Sequence, residues 1–282
     1  MGSSGQRAVF APVENHRERE KGVLVYPVYS RRAGGLSVGI NVFPGEKCCS
    51  FNCPYCEVFP FKTNAVFSLG QMEADLRSVI NDVLERKLTV KDICFSGNGE
   101  PSLSVDFPEA LKLAGRIRNE LVPAAQLVLI TNGTGLLQQQ VFSLLCDAAA
   151  GSHALNIWIK LDAVTPGWYQ KINRSALPYE QLTAAIKKIA SCAPFTIQTM
   201  LCTVDGNKPP PEEEQAWEAL VVELTAIAAA GKGSIRKVQI YGKARPSPDD
   251  PQTQPLPVSC LEDRAASLRM AAPCSLAVEV YP

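Results

Sequence analysis

Histidine is scarce in this chain of 282 residues: His16 and His153 are the only two. A zinc site of mixed cysteine and histidine ligands therefore lacks an obvious partner. An excess of one charge is missing too. Lys and Arg together count 28, Asp and Glu together 28, so the chain has no global basic footprint for nucleic acid, although a local basic patch stays open. No apolar run approaches the length of a membrane span. The opening residues Met1-Gly2-Ser3-Ser4-Gly5-Gln6 carry no apolar segment of a signal peptide, and Gln6 stands where myristoylation requires Ser or Thr. No internal repeat and no second domain boundary are visible. What is present is an apolar content of 46% against 20% charged residues, enough to build a sizeable core and to exclude disorder as a reading of the whole chain. The length suits one α/β barrel.

Cysteine is plentiful but uneven. Cys48, Cys49, Cys53 and Cys56 crowd into one segment, and the other six are scattered singly. A disulfide framework is spread more evenly, in smaller secreted chains. The expectation is a cytoplasmic protein in a reducing compartment, whose clustered thiols bind metal.

Short β-type runs alternate with helical patterns after a polar lead-in over 1–22. The predicted strands are Val38–Phe43, Asp92–Phe95, Leu127–Thr131, Asn156–Leu161, Thr196–Leu201 and Lys237–Tyr241. Most are continuous apolar runs, as in strands covered on both faces. Between them lie helical stretches at Gln71–Lys87, after Asp106, and at Leu137–Ala149, Pro178–Cys192 and Glu212–Ala230. Asp106 is placed to cap its helix, with Pro108 in the first turn. Six strand–helix units predict a partial (βα)6 barrel of the TIM type, with parallel strands, over 23–245. A C-terminal extension over 246–282, helical around Leu261–Met270, is expected to pack on it.

Cys49, Cys53 and Cys56 have the spacing C-x3-C-x2-C. One short loop can wrap a compact cluster with them, and thiolates suit iron–sulfur centres. Three ligands cover three irons of a [4Fe–4S] cubane and leave the fourth open to an exchangeable ligand. Tightly spaced thiols also suit zinc, which is the competing reading. Cys48 is read as a bystander, because adjacent cysteines point different ways in most backbone geometries.

With its aromatic Tyr55 before the last cysteine, this loop resembles that of the radical S-adenosylmethionine (SAM) superfamily. The resemblance implies that the amino and carboxylate groups of SAM chelate the open iron. It further implies that reductive cleavage yields a 5′-deoxyadenosyl radical, which abstracts hydrogen from a substrate. An external electron donor of the flavodoxin or ferredoxin kind is then needed.

Other motifs fall at predicted strand ends, where barrel enzymes gather their sites. Ser96-Gly97-Asn98-Gly99-Glu100-Pro101 is similar to the superfamily's Gly-Gly-Glu-Pro motif, which implies that Gly97, Asn98, Gly99 and Glu100 surround the SAM amino group. A plain turn is the alternative for this motif and for Thr131-Asn132-Gly133. In the family reading, Asn132 lies near the sugar or carboxylate of SAM. Lys160 within an apolar strand needs a paired charge. The options are the SAM carboxylate, a use supported by resemblance to glycyl-radical activases, or an ion pair with Asp162 or Glu100. Gln198 is placed by the ribose and Tyr241 by the adenine, with ordinary lining as the alternative for both.

Tyr26–Arg32, Leu36–Asn41, Lys171–Arg174 and Tyr241–Arg245 resemble Fe–S oxidoreductases related to wyosine-base synthases. Those synthases carry cysteines upstream of the main motif, and none precedes Cys48 here. Arg31, Arg32 and Arg245 are assigned either to an anionic substrate or to buried ion pairs. The leading expectation is a radical SAM enzyme whose substrate the sequence does not name. A protein-activating glycyl-radical-type activase and a non-catalytic Fe–S or zinc scaffold are the alternatives.

Overall fold

A computed structural model describes residues 22–151 and 154–282. Almost all of the polar lead-in, His16 and His153 lie outside the described residues. Among those described, no helix is long and apolar enough to cross a membrane.

The strands are β1 (Val25–Ser30), β2 (Gly35–Ile40), β3 (Val90–Phe95), β4 (Gln126–Thr131), β5 (Asn156–Lys160), β6 (Pro194–Leu201), β7 (Ser234–Gly242) and β8 (Val278–Tyr281). They form one sheet in chain order. β1 pairs antiparallel with β2, and every later neighbour pair is parallel. The six predicted strands are β2 to β7, so the α/β partial barrel is observed. Two strands extend it. β1 contains Pro27, which lacks the N–H that a central strand must donate and is tolerated on an edge. β8 has only four residues and comes from the C-terminal stretch. The predicted run Val38–Phe43 overshoots β2, which ends at Ile40; Asn41 N still donates to Leu24 O at 2.8 Å, its in-register partner across from β1, before the chain turns away.

Helices α1 (Leu69–Glu85), α2 (Phe107–Leu121), α3 (Gln139–Ala150), α4 (Pro166–Ile172), α5 (Tyr179–Ala190), α6 (Pro211–Ala230) and α7 (Val258–Ala271) fill the crossovers. In α1, Met72, Leu76, Ile80 and Val83 recur at helical spacing and are fully buried. Each such side chain contributes about 1.5–3 kcal/mol by leaving water. Ser68 Oγ caps that helix by accepting from Gln71 N. Asp106 does precede α2, but its side chain makes no capping bond. Its own N–H instead donates to Ser104 Oγ at 3.2 Å.

The sheet curls far enough for the β1–β2 turn to reach across to β6 and β7. Arg32, on the turn between β1 and β2, donates to Gln198 Oε1 of β6 at 3.1 Å and lies 4.4 Å from the ring centre of Tyr241 on β7. α6 fixes the loop after β5. Glu213, 2% exposed, accepts from Val164 N at 2.7 Å and Thr165 N at 2.8 Å. Trp217 Nε1 donates to Leu161 O at 3.2 Å and to Thr199 Oγ1 at 3.0 Å. These bonds hold Lys160 and Asp162 at the end of β5.

Candidate active site

The cysteine loop leaves β2 and is stitched to the turn that follows β3. Cys48 N donates to Asn98 O at 3.0 Å, and Glu100 N donates to Cys48 O at 2.8 Å. This approach requires glycine at position 99. A Cβ there would lie 1.8 Å from Cys48 O, and the residue has φ +154. Cys48 thus serves through its backbone, and its side chain is exposed. Asn41, which the sequence reading placed in the segment Leu36–Asn41 without giving it a role, organises the same turn. Its Oδ1 accepts from Phe43 N at 3.1 Å and Asn98 N at 3.2 Å. Asn98 in turn donates through Nδ2 to Phe43 O. The signal for Asn41 was a polar residue closing an apolar strand run.

Cys49, Cys53 and Cys56 are all free and half-buried. Two amides from neighbouring loops address the sulfurs. Asn132 Nδ2 donates to Cys49 Sγ at 3.6 Å, and Asn173 Nδ2 to Cys53 Sγ at 3.7 Å. Phe51 N also donates to Cys49 Sγ at 3.4 Å. Burial pushes the Cys49 thiol up to about 11 and the Cys53 thiol up to about 12, so both are protonated until a cation replaces the proton. Among the described residues, no group of three or more His, Cys, Asp or Glu side chains is arranged to hold a metal ion. The donor set nonetheless fits a thiolate-bound iron–sulfur cluster: three sulfurs on one short loop, with amide donors of the kind that tune such sulfurs.

Glu100 was expected to face a bound ammonium group, and the structure turns it inward. It is 2% exposed. Its Oε1 accepts from Ser102 N at 3.2 Å, Ser102 Oγ at 2.5 Å and Thr131 Oγ1 at 2.7 Å. Its Oε2 accepts from Asn132 N at 2.6 Å. Three donors thus converge on Oε1 and one on Oε2. Glu100 therefore ties the glycine turn to the end of β4 and places Asn132 beside Cys49. Burial raises its pKa, against those four bonds.

Lys160 pairs with Asp162 Oδ2 at 3.0 Å, not with Glu100, and also donates to the Tyr241 hydroxyl. It lies 4.7 Å from the ring centre of Tyr55 and 5.0 Å from that of Tyr241. Asp162 also accepts from the Tyr55 hydroxyl and, at 2.8 Å, from Met200 N. Burial disfavours the Lys160 ammonium, but Asp162 and Tyr241 outweigh it, and the net pKa is raised. The group stays cationic at any ordinary pH, with one of its three N–H donors beyond the two bonds described.

A cavity of ≈ 610 Å³ runs along the inner face of the sheet beside this cluster. Tyr55, Cys56, Gly97, Asn98, Gly99, Lys160 and Tyr241 line it. Glu100, Asn132 and Gln198 do not. Gln198 is wholly buried, accepting from Arg32 and donating to Gln239 Oε1 at 2.7 Å. The volume lies in the range of small-molecule sites.

No family model matches the sequence. The chain is 31% identical over 190 residues to a UPF0026 protein of Synechocystis sp., covering 62% of this chain and 63% of that one. It is 33% identical over 120 residues to a UPF0026 protein of Helicobacter pylori, covering 42% of this chain and 37% of that one. The matches thus span less than two thirds of these relatives' length. Among solved structures, a radical SAM methyltransferase from Sphaerobacter thermophilus superposes with TM-score 0.64 at 15% identity, covering 90% of this chain and 68% of that one. TYW1 with a lysine–pyruvate adduct bound superposes with TM-score 0.53 at 16% identity, covering 84% and 74%. Strand order, curled sheet and cysteine loop after β2 thus converge with these superpositions on one conclusion: the chain has the fold of the radical SAM enzymes.

Proposed function

We infer that the protein is a radical SAM enzyme. The observation that carries the reading is the amide-addressed thiol triad beside a cavity of small-molecule size. Cys49, Cys53 and Cys56 would hold a [4Fe–4S] cluster with one open iron. Such a cluster, with SAM bound at that iron, would supply reductive cleavage of SAM to a 5′-deoxyadenosyl radical for hydrogen abstraction, with electrons from an external flavodoxin- or ferredoxin-like donor.

The chain's own residues position and exclude. Gly97 and Gly99 present bare backbone to the cavity, while Lys160 offers a cation for a carboxylate. Asp162 keeps Lys160 charged, and the rings of Tyr55 and Tyr241 enclose it. Asn132 and Asn173 direct N–H groups at two sulfurs. Glu100 acts one step back, through Asn132 and the glycine turn.

Anaerobic reconstitution followed by iron, sulfide and zinc analysis tests the metal. About four irons per chain are expected, the content of one cubane. Ala at Cys49, Cys53 or Cys56 removes them, and Ala at Cys48 does not. Stoichiometric zinc, or full iron in Cys53→Ala, would overturn the reading. Formation of 5′-deoxyadenosine from SAM and dithionite then separates an enzyme from an inert scaffold.

A further inference from the structure

We propose that the cavity holds its substrate by an oxyanion, a carboxylate or phosphate, at a guanidinium pair formed by Arg31 and Arg245. This deepens the radical SAM reading by naming a substrate class, and it rests on that reading.

Arg31, Arg32, Lys160 and Arg245 all line the cavity, against the carboxylates of Glu57 and Asp92. Most of these charges are engaged. Lys160 is held by Asp162. Arg32 is spread over the Tyr241 ring and bonded to Gln198, so it forms a wall. Asp92 accepts from Ser37 Oγ. Arg245 pairs through Nη1 with Glu57, yet its Nε is buried with no partner. Arg31 stands exposed at the mouth; its backbone O accepts from Gly34 N at 3.2 Å, but its guanidinium makes no hydrogen bond or ion pair among the described residues.

Glu57 therefore pairs with Arg245 and lines the same cavity as Arg31, while Arg32 is held on the Tyr241 ring. Partial burial and the charges of Arg245 and Arg32 depress the pKa of Arg31, and Glu57 only offsets this. An oxyanion between the guanidiniums would relieve that repulsion and accept from donors now without partners. The planar guanidinium fork matches the geometry of carboxylate and phosphate. Arg31 sits on the β1–β2 turn and Arg245 just past β7, so the curl of the sheet creates the pair. The carboxylate of SAM is the other possible source of an oxyanion. Lys160, beside Cys53 and Tyr55, is the cation nearer the thiols.

The test is calorimetric titration of the full-length, anaerobically reconstituted protein, free of SAM, with sodium phosphate and with sodium succinate in separate arms. One anion per chain is expected to bind saturably, and the preferred arm tells phosphate from carboxylate. Arg31→Gln weakens it about tenfold or more, Arg31→Lys restores part, and Arg116→Gln on the exposed face of α2 changes nothing. SAM affinity, read from the spectrum of the reduced cluster, stays unchanged in Arg31→Gln. The proposal is overturned if neither anion binds saturably or if Arg31→Gln binds as tightly as the parent. It is equally overturned if Arg31→Gln loses SAM affinity, because the arginines then serve the cofactor. Anion binding by a protein that fails to bind SAM would sink the enzyme reading and leave the anion site standing.

Discussion

The two faces of the same sheet are built on different principles. Along β3, Ile93 and Phe95 point outward into the helical layer, where Phe95 meets Phe107 of α2 edge to face at 5.3 Å. Their neighbours Asp92 and Cys94 point inward and line the cavity. The same alternation gives Ile157 and Ile159 to the helices, and Trp158 and Lys160 to the cavity. Outside, any well-fitting apolar side chain serves, because burial of apolar area is non-directional. Inside, Ser37, Asp92, Gln198 and Gln239 are as fully covered as the outer residues, yet each must find its hydrogen bonds. The outer face is closed by apolar packing and the inner face by hydrogen-bonded polar side chains.

That division makes a ranking of effects. Phe107→Ala, on the outer side, opens a cavity at a fully buried ring and should cost about 3–5 kcal/mol in equilibrium denaturation. A loss under about 1 kcal/mol would break the comparison. Asp92→Asn tests the inner face. Burial raises the Asp92 pKa to about 6, opposed by the Ser37 bond and by Arg32. A raised folded-state pKa means that the folded protein binds the proton more tightly than the unfolded chain. The stabilising contribution is then full below about pH 4 and is lost as pH rises through about 6. Asp92→Asn should therefore be the more stable protein at pH 7, by up to about 3 kcal/mol, with the advantage vanishing below about pH 4. An advantage that does not change between those values would show that the carboxylate is not buried as described.

Gly99→Ala attacks the joint between cysteine loop and glycine turn. Overpacking against Cys48 O should cost about 1–3 kcal/mol and lower the iron retained after reconstitution. Iron content equal to the parent's would mean that the loop is placed by something else. The smallest effect is expected at Asp106→Ala. Its side chain makes no capping bond, so the change should stay within about 0.5 kcal/mol, where a working cap costs about 1.

The outer face was the legible one. Helical spacing in α1 and apolar runs in β3 to β7 report one-sided or two-sided burial directly, and they predicted the partial barrel. The thiol spacing was legible for a similar reason, since close ligands on one loop have few alternative uses. β1 was obscured by Pro27 and β8 by its shortness. Glu100 shows the deeper limit. Its position at a strand end was readable, but whether a carboxylate turns toward the cavity or back to Thr131 and Asn132 depends on loops more than thirty residues apart in sequence. Asn173 is the same case: resemblance marked its segment Lys171–Arg174, but nothing local announced that its amide reaches Cys53 from 120 positions away.

In the proposed function the thiol triad and the adjoining cavity form one site for a cluster and SAM. The direct measurement is electron paramagnetic resonance of the dithionite-reduced, reconstituted protein, recorded with and without SAM. The parent protein should give a reduced-cluster signal that SAM shifts. In Lys160→Met the signal should remain, but its SAM-induced shift should need roughly tenfold more SAM. A cluster signal indifferent to saturating SAM in the parent protein would contradict that function.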